Sequence, residues 1–238
     1  MEKSGAKRYD MRILCLSDVH GSASASYLAR EWIDLYDVDA VVIAGDITHF
    51  GPPEWAEKFI RSIASTGVKV MGVHGNCDPP EVEGSIEKGG GVSLHRKKHV
   101  WMGVSFAGFG GGNPMPFPTM TWSSEEKIDA EMKKMDGAIG GGGDSVDVLV
   151  THVPPLGILD RTFMGTHGGS RSVLEAVKRW KPSLVVSGHI HEARGVENVE
   201  GTVFVNPGPA AKNYGALIEL MSETGEKGKE WRVRLISK

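Results

Sequence analysis

AVVIAGD, residues 40–46, has no polar residue until its last position. Val41, Val42 and Ile43 follow one another directly and do not alternate with polar residues, which is the pattern of a strand buried on both faces. Gly45 ends the run, and Asp46 stands where the chain must leave the sheet. Four other segments have the same form: RILCLSD (12–18), VKVMGVHGN (68–76), DVLVTH (147–152) and LVVSGH (184–189). Helical periodicity lies between them. Residues 26–36 place Leu28, Trp32 and Leu35 on one face. Residues 53–64 open with prolines and bury Trp55, Phe59 and Ile63. Residues 124–135 and 170–180 complete the helices, with Ser123 or Ser124 and Ser170 as N-caps. The stretch 91–109 reads as an antiparallel hairpin with a solvated basic turn at His95, Arg96, Lys97 and Lys98. The tail after residue 194 reads as antiparallel strands too. The predicted fold is therefore α/β, one domain over residues 1–238 with a mixed two-sheet core.

Composition narrows the function without naming it. The 238 residues are 40% hydrophobic and 24% charged, ordinary for a chain that buries a full core. A net charge of −3 provides no global basic field for nucleic acid or an anionic membrane, so neither is an expected partner. No apolar run approaches the length of about 18 residues that a membrane span requires. The start has no hydrophobic segment of signal-peptide type, and two cysteines make no disulfide framework, so the expected location is cytoplasmic. Many of the 32 glycines cluster at Gly108–Gly112 and Gly140–Gly143. GFGGGNP lacks the lysine–serine pair of a phosphate-cradling loop and runs into prolines, so it reads as a flexible loop. The second cluster reads as a connector.

Each buried run also ends in a residue able to bind a metal. The first ends at Asp18, with His20 two residues on. The others end at Asp46, Asn76 and His152, and at His189 with His191 behind it. Side chains at the carboxyl ends of such strands converge on one edge of a sheet, where α/β proteins place their sites. Three imidazoles, a fourth at His20, two carboxylates and an amide suit Mn, Fe or Zn without a thiolate. A carboxylate can bridge, so seven ligands can serve two ions about 3.5–4 Å apart.

The blocks DVH (18–20), GD (45–46), GNCD (75–78), TH (151–152) and GHIH (188–191) resemble those of the calcineurin-like metallophosphoesterases, with VNPGP (205–209) similar to the segment that closes the second sheet in small prokaryotic members. The resemblance runs from Arg12 to about Gly208. It implies a sandwich of two mixed sheets flanked by helices in four α-β-β-α layers. It also implies two divalent ions, Mn first and Fe, Zn or Ni as alternatives. Asp18, His20 and His191 would hold one ion, Asn76, His152 and His189 the other, and Asp46 would bridge them. The expected reaction is hydrolysis of a small phosphodiester by a metal-bridging hydroxide, with Asp46, Asn76, Cys77 and Asp78 as catalytic-loop residues. Cys77 departs from the pattern, because most members carry there a histidine that contacts the phosphate. A thiol cannot carry positive charge. It either fills space or approaches the thiolate near dications, and diesters with good leaving groups become the expected substrates. His49, His167 and Arg171 are the substrate-binding candidates, and Gly168, Gly169 and Ser170 offer N–H groups to an anion. Phosphomonoester hydrolysis and a non-catalytic binding module remain alternatives; the complete ligand set favours an enzyme. A homo-oligomer is compatible with all of this.

Overall fold

The computed structural model describes residues 9–114, 119–139, 146–221 and 229–238. The Gly140–Gly143 connector lies outside them. The five apolar runs all form strands: β1 (Tyr9–Leu16), β2 (Ala40–Ala44), β3 (Lys69–Val73), β7 (Val148–Thr151) and β8 (Leu184–Val186). Shorter or alternating segments supply β4 (Val92–Ser93), β5 (Lys98–Trp101), β6 (Val104–Phe109), β9 (Gly195–Val199), β10 (Thr202–Asn206), β11 (Tyr214–Met221) and β12 (Trp231–Ser237). They build two six-stranded sheets, β12-β11-β1-β2-β3-β4 and β5-β6-β7-β8-β10-β9. The centres are parallel (β1-β2-β3-β4 and β6-β7-β8-β10), and the antiparallel pairs lie at the edges.

Every residue of β2 is buried because both of its faces are covered. Val42 and Ala44 face the inter-sheet core with Ile13, Cys15, Val73, Phe106, Val150 and Val186. Val41 and Ile43 face the opposite way, against Leu28, Trp32, Phe59 and Ile60. Those residues belong to α1 (Ala23–Tyr36) and α2 (Pro53–Ala64), which cover the first sheet with α3 (Val82–Lys88). On the second sheet, Ala107, Leu149, Val185 and Phe204 meet Ile128, Met132, Val173 and Ala176 of α4 (Glu125–Ile139) and α5 (Arg171–Trp180). The order is helices, sheet, sheet, helices, the four-layer α-β-β-α arrangement. Ser22 caps α1 and Ser170 caps α5 through their side chains. No helix among the described residues is long and apolar enough to cross a membrane.

Several local expectations change. The hairpin at 91–109 is split: β4 pairs parallel with β3 in the first sheet, and only β5 and β6 form a hairpin. The basic run is thus the link between sheets. His95 is buried there, Arg96 pairs with Glu131 at 3.1 Å and Lys97 with Glu87 at 2.8 Å. Leu35 is exposed, because the buried stripe of α1 passes through Ala29 and Ile33. Trp55 is only partly buried, at the edge of its cluster. The seven-residue α3 was not expected at all, being too short for periodicity to reveal. Gly108–Gly112 is closely packed, so flexibility is not why it is glycine-rich. A Cβ on Gly112 would stand 2.5 Å from that of Asn76, so the backbone can approach the GNCD loop only without a side chain.

Candidate metal centre

Because β1, β2 and β3 run parallel, as do β6, β7 and β8, their carboxyl ends share one edge of the sandwich. Asp18, Asp46, Asn76 and His152 are all buried there, with His20, His189 and His191 half-buried. Asp18 Oδ1 lies 3.2 Å from His191 Nε2 and 4.0 Å from His20 Nε2, and the two imidazole nitrogens are 3.4 Å apart. Asp46 reaches both sides: Oδ2 is 3.8 Å from His20 Nε2, and Oδ1 is 3.4 Å from His152 Nε2. Asn76 Oδ1 lies 2.8 Å from His152 Nε2, and the His189 ring sits edge-on to His152 at 5.0 Å. All seven predicted ligands therefore come together. Asp18, His20 and His191 form one set of donor atoms mutually within 4.8 Å, and Asp18, Asp46 and His152 form another.

The backbone gives up ease to achieve this. Asp18, His20, Asp46 and His189 all have positive φ, between 47° and 68°. Side-chain-bearing residues rarely adopt that region, and clusters of them mark functional sites. No periodicity in the sequence announced it. Hydrogen bonds hold the turns: Ser17 Oγ donates to Asp18 Oδ2 at 2.6 Å, and the Cys77 N–H donates to Asp46 Oδ1 at 2.8 Å.

The electrostatics and the open valences both call for cations. Burial alone would raise both carboxyls, yet their neighbours outweigh it. His191 and His152 hold Asp18 below the usual range, and His152 and His20 do the same for Asp46. Burial pulls the His152 imidazole down, but Asp46 and Asp18 push it up to about 9. His189, half-buried beside that ring, is pulled down to about 4. His152 Nδ1 lies 2.8 Å from the Ala44 carbonyl, which orients the ring with Nε2 toward the Asp46 and Asn76 oxygens. With Nδ1 donating there, only a proton or a metal ion at Nε2 removes the repulsion between facing lone pairs. His189 Nε2 is buried without a hydrogen-bond partner among the described residues. An unsatisfied imidazole nitrogen among two carboxylates and an amide oxygen fits a divalent ion, and the mixed N/O donor set fits Mn, Fe or Zn.

The other candidates separate. Asp78 is fully buried and accepts from Ile47 N–H, Thr48 N–H, Thr48 Oγ1 and Gly75 N–H at 2.7–3.0 Å. It ties the Asp46 loop to the Asn76 loop and has no oxygen left for substrate. Gly75 has no room for a side chain, since a Cβ would run into Asp46. Cys77 is buried, with Sγ close to His20 and Asp46 donor atoms. The protein's own groups raise the thiol's pKa, burial first and then the charge of Asp46; the thiolate expectation rests instead on the charge of bound dications. His49 is exposed and edge-on to His20 at 5.4 Å, so it reaches the centre's rim. His167 is exposed, and its Nδ1 donates to the buried Asp160 Oδ1 at 2.7 Å. Arg171 is exposed in the first turn of α5, with no described contact to the ligands. The expected anion nest at Gly168–Ser170 is closed, because these N–H groups donate to the Asp160 carbonyl, Asp160 Oδ2 and the Pro154 carbonyl.

With this geometry established, comparison with known proteins is informative. The family model for calcineurin-like phosphoesterases matches residues 11–193. A Methanocaldococcus jannaschii protein, MJ1162, whose activity its name does not state, is 32% identical over 213 residues, 86% of this chain and 90% of that one. Among solved structures, TT1561 of Thermus thermophilus superposes with a TM-score of 0.67 at 18% identity, over 88% of this chain and 94% of its own. A structure titled as a novel archaeal phosphodiesterase superposes with a TM-score of 0.53 at 18% identity, over 95% of this chain and all of that one. At these identities, the structural matches speak for the fold alone.

Proposed function

The chain belongs to the calcineurin-like phosphoesterase family, and on that premise we propose that it hydrolyses phosphodiesters at two divalent ions. Asp18, His20 and His191 would hold one, Asn76, His152 and His189 the other, with Asp46 between them. The single observation that carries the reading is Asp46, whose two oxygens face His20 and His152, one from each set. When bound, such ions supply positive charge toward the phosphoryl oxygens and acidify water enough for it to attack at neutral pH. Hydrolysis then consumes one water, breaks one P–O ester bond and delivers a proton to the leaving alcohol.

The chain's own residues set the preference. Asp18 and Asp46 are held ionised, and Asp78 fixes the two loops on which Asp46 and Asn76 sit. The family resemblance puts a histidine where this chain has Cys77, and a thiol supplies no positive charge to a departing alkoxide. That favours diesters with good leaving groups over monoesters, whose second negative charge has no matching side-chain cation there. Mn is the first expectation for the metal, from the hard oxygen and borderline nitrogen donors. The test is turnover of a panel of phosphate mono- and diesters after separate reconstitution with Mn, Ni, Zn, Fe and Mg. Turnover confined to monoesters overturns the diester preference, and no turnover with any metal overturns the enzyme reading.

A further inference from the structure

Beside the metal centre, and lined by none of its seven candidate ligands, lies a cavity of about 360 Å³, the size of a small-molecule pocket. A wall of backbone separates the two. The Met120 and Thr121 N–H groups, from the cavity's lining, both donate to the Asn76 carbonyl, at 2.9 and 3.1 Å. His74 lines the cavity with its ring against bare backbone, since a Cβ on Gly110 would stand 2.8 Å from Nδ1. The residue is 4% exposed, and Nδ1 has no hydrogen-bond partner among the described residues. A buried polar nitrogen left open costs free energy, which a hydrogen bond to a bound molecule offsets. His95 stands edge-on to His74 at 4.6 Å, and its own Nδ1 accepts the Gly110 N–H, so its proton sits on Nε2. Trp122, 55% exposed, adds a flat apolar face for stacking. The charges of the lining almost cancel. Arg96 pairs with Glu131 at 3.1 Å and Glu83 with Lys97 at 3.4 Å. Lys127 makes no ion pair among the described residues, so one positive charge stays unmatched.

We propose that this cavity, whatever the reaction at the metal centre, is a binding site for a planar heteroaromatic monocarboxylate. The ring lies against Trp122, a ring nitrogen pairs with the His74 imidazole, and the carboxylate pairs with Lys127. Each part of that ligand answers one feature of the lining. An aliphatic acid leaves the indole face uncovered, and a hydrocarbon ring leaves His74 Nδ1 without a partner. A phosphate monoester brings two negative charges to one free cation. A metal ion finds no free carboxylate, since Glu83 and Glu131 are both engaged with cations. Binding there involves no covalent step, so the site is a receptor for the acid and not a second reaction centre.

The test is isothermal titration calorimetry of the metal-replete protein with benzimidazole-5-carboxylate, whose ring offers both N and N–H. The wild type should bind a single equivalent. 2-Naphthoate lacks the nitrogens and benzimidazole lacks the carboxylate. Each should bind about tenfold more weakly or worse, as the loss of one buried or charged hydrogen bond predicts. Lys127→Ala should weaken binding of the benzimidazole acid by the same factor, and Trp122→Ala should weaken binding of all three compounds. His74→Phe should bind the two acids alike. Lys127 and Trp122 are both exposed, so their variants keep the fold. No saturable binding by the wild type up to about 1 mM overturns the proposal. So does unchanged affinity in Lys127→Ala and Trp122→Ala, which would put the acid at the metal centre. Equal affinity of the wild type for the two acids overturns the role of His74 and, with it, the heteroaromatic class.

Discussion

Replacing Asp78 by alanine tests how the centre is held together. Its carboxylate accepts the N–H groups of Ile47 at 3.0 Å, Thr48 at 2.7 Å and Gly75 at 2.8 Å, and the Thr48 hydroxyl at 2.9 Å. The residue is wholly buried, so truncation leaves three amides without a partner. At about 1–3 kcal/mol per buried unpaired donor, the sum is about 3–9 kcal/mol. The void is large enough to admit water and let the loops relax, which places the expected loss at about 3–5 kcal/mol. That is a large fraction of the roughly 5–15 kcal/mol that holds a typical protein folded. Urea denaturation in EDTA isolates this effect from metal binding. The midpoint should fall by about 1–2.5 M with the slope unchanged, taking a slope of about 2–3 kcal/mol per M. Asp78→Asn keeps one acceptor but turns an amide toward N–H donors, so its loss should be smaller and still exceed about 1 kcal/mol. A change below about 1 kcal/mol in both variants would show that these hydrogen bonds do not organise the two loops.

Three further outcomes follow from the same geometry. Asp46→Asn keeps an acceptor for the Cys77 N–H but loses the charge that faces both halves of the centre. Metal content by mass spectrometry should fall for both ions and most turnover should go; near wild-type values for both would make Asp46 a mere turn residue. Cys77→Ser should retain metal and turnover within about threefold, since the thiol supplies no positive charge, and Cys77→His should raise kcat/KM for poor leaving groups by up to ~10²-fold. Abolished turnover in the serine variant, with metals still bound, would make the thiol itself catalytic. His95 gives a pH prediction: burial first, then His74 and Arg96, pulls it down to about 3, and its Nδ1 accepts the Gly110 N–H at 2.9 Å. The unfolded chain binds this proton below about pH 6.5 and the folded one only near pH 3, so stability falls as pH drops through that window. The loss should be about 2 kcal/mol at pH 5 relative to neutral, and His95→Asn should lack it; equal pH profiles for the two proteins would refute the assignment.

The strands and the ligands were legible for one shared reason. A strand covered on both faces must be apolar throughout, so β2 can be read from AVVIA alone, and the first polar residue after it has to lie at the sheet edge. Asp18, Asn76, His152 and His189 lie within three residues of their strand ends in the same way, behind Ser17, His74, Thr151 and Ser187, and the spacing of GHIH added His191. Single-chain periodicity had no hold on shorter or half-covered elements. Two-residue β4 belongs to the first sheet only because β3 offers it an edge, and the burial stripe of α1 depends on which sheet lies beneath it. The roles of Asp78 and of Gly168–Ser170 were likewise undetermined, because a carboxylate or N–H group looks the same in sequence whether its partner is substrate or backbone. Pairing of Asp46 with both His20 and His152 and the left-handed backbone at four ligands were decided by the tertiary structure alone. Local sequence dictates which residues reach an edge, but distances between edges exist only once two sheets have packed across a common core.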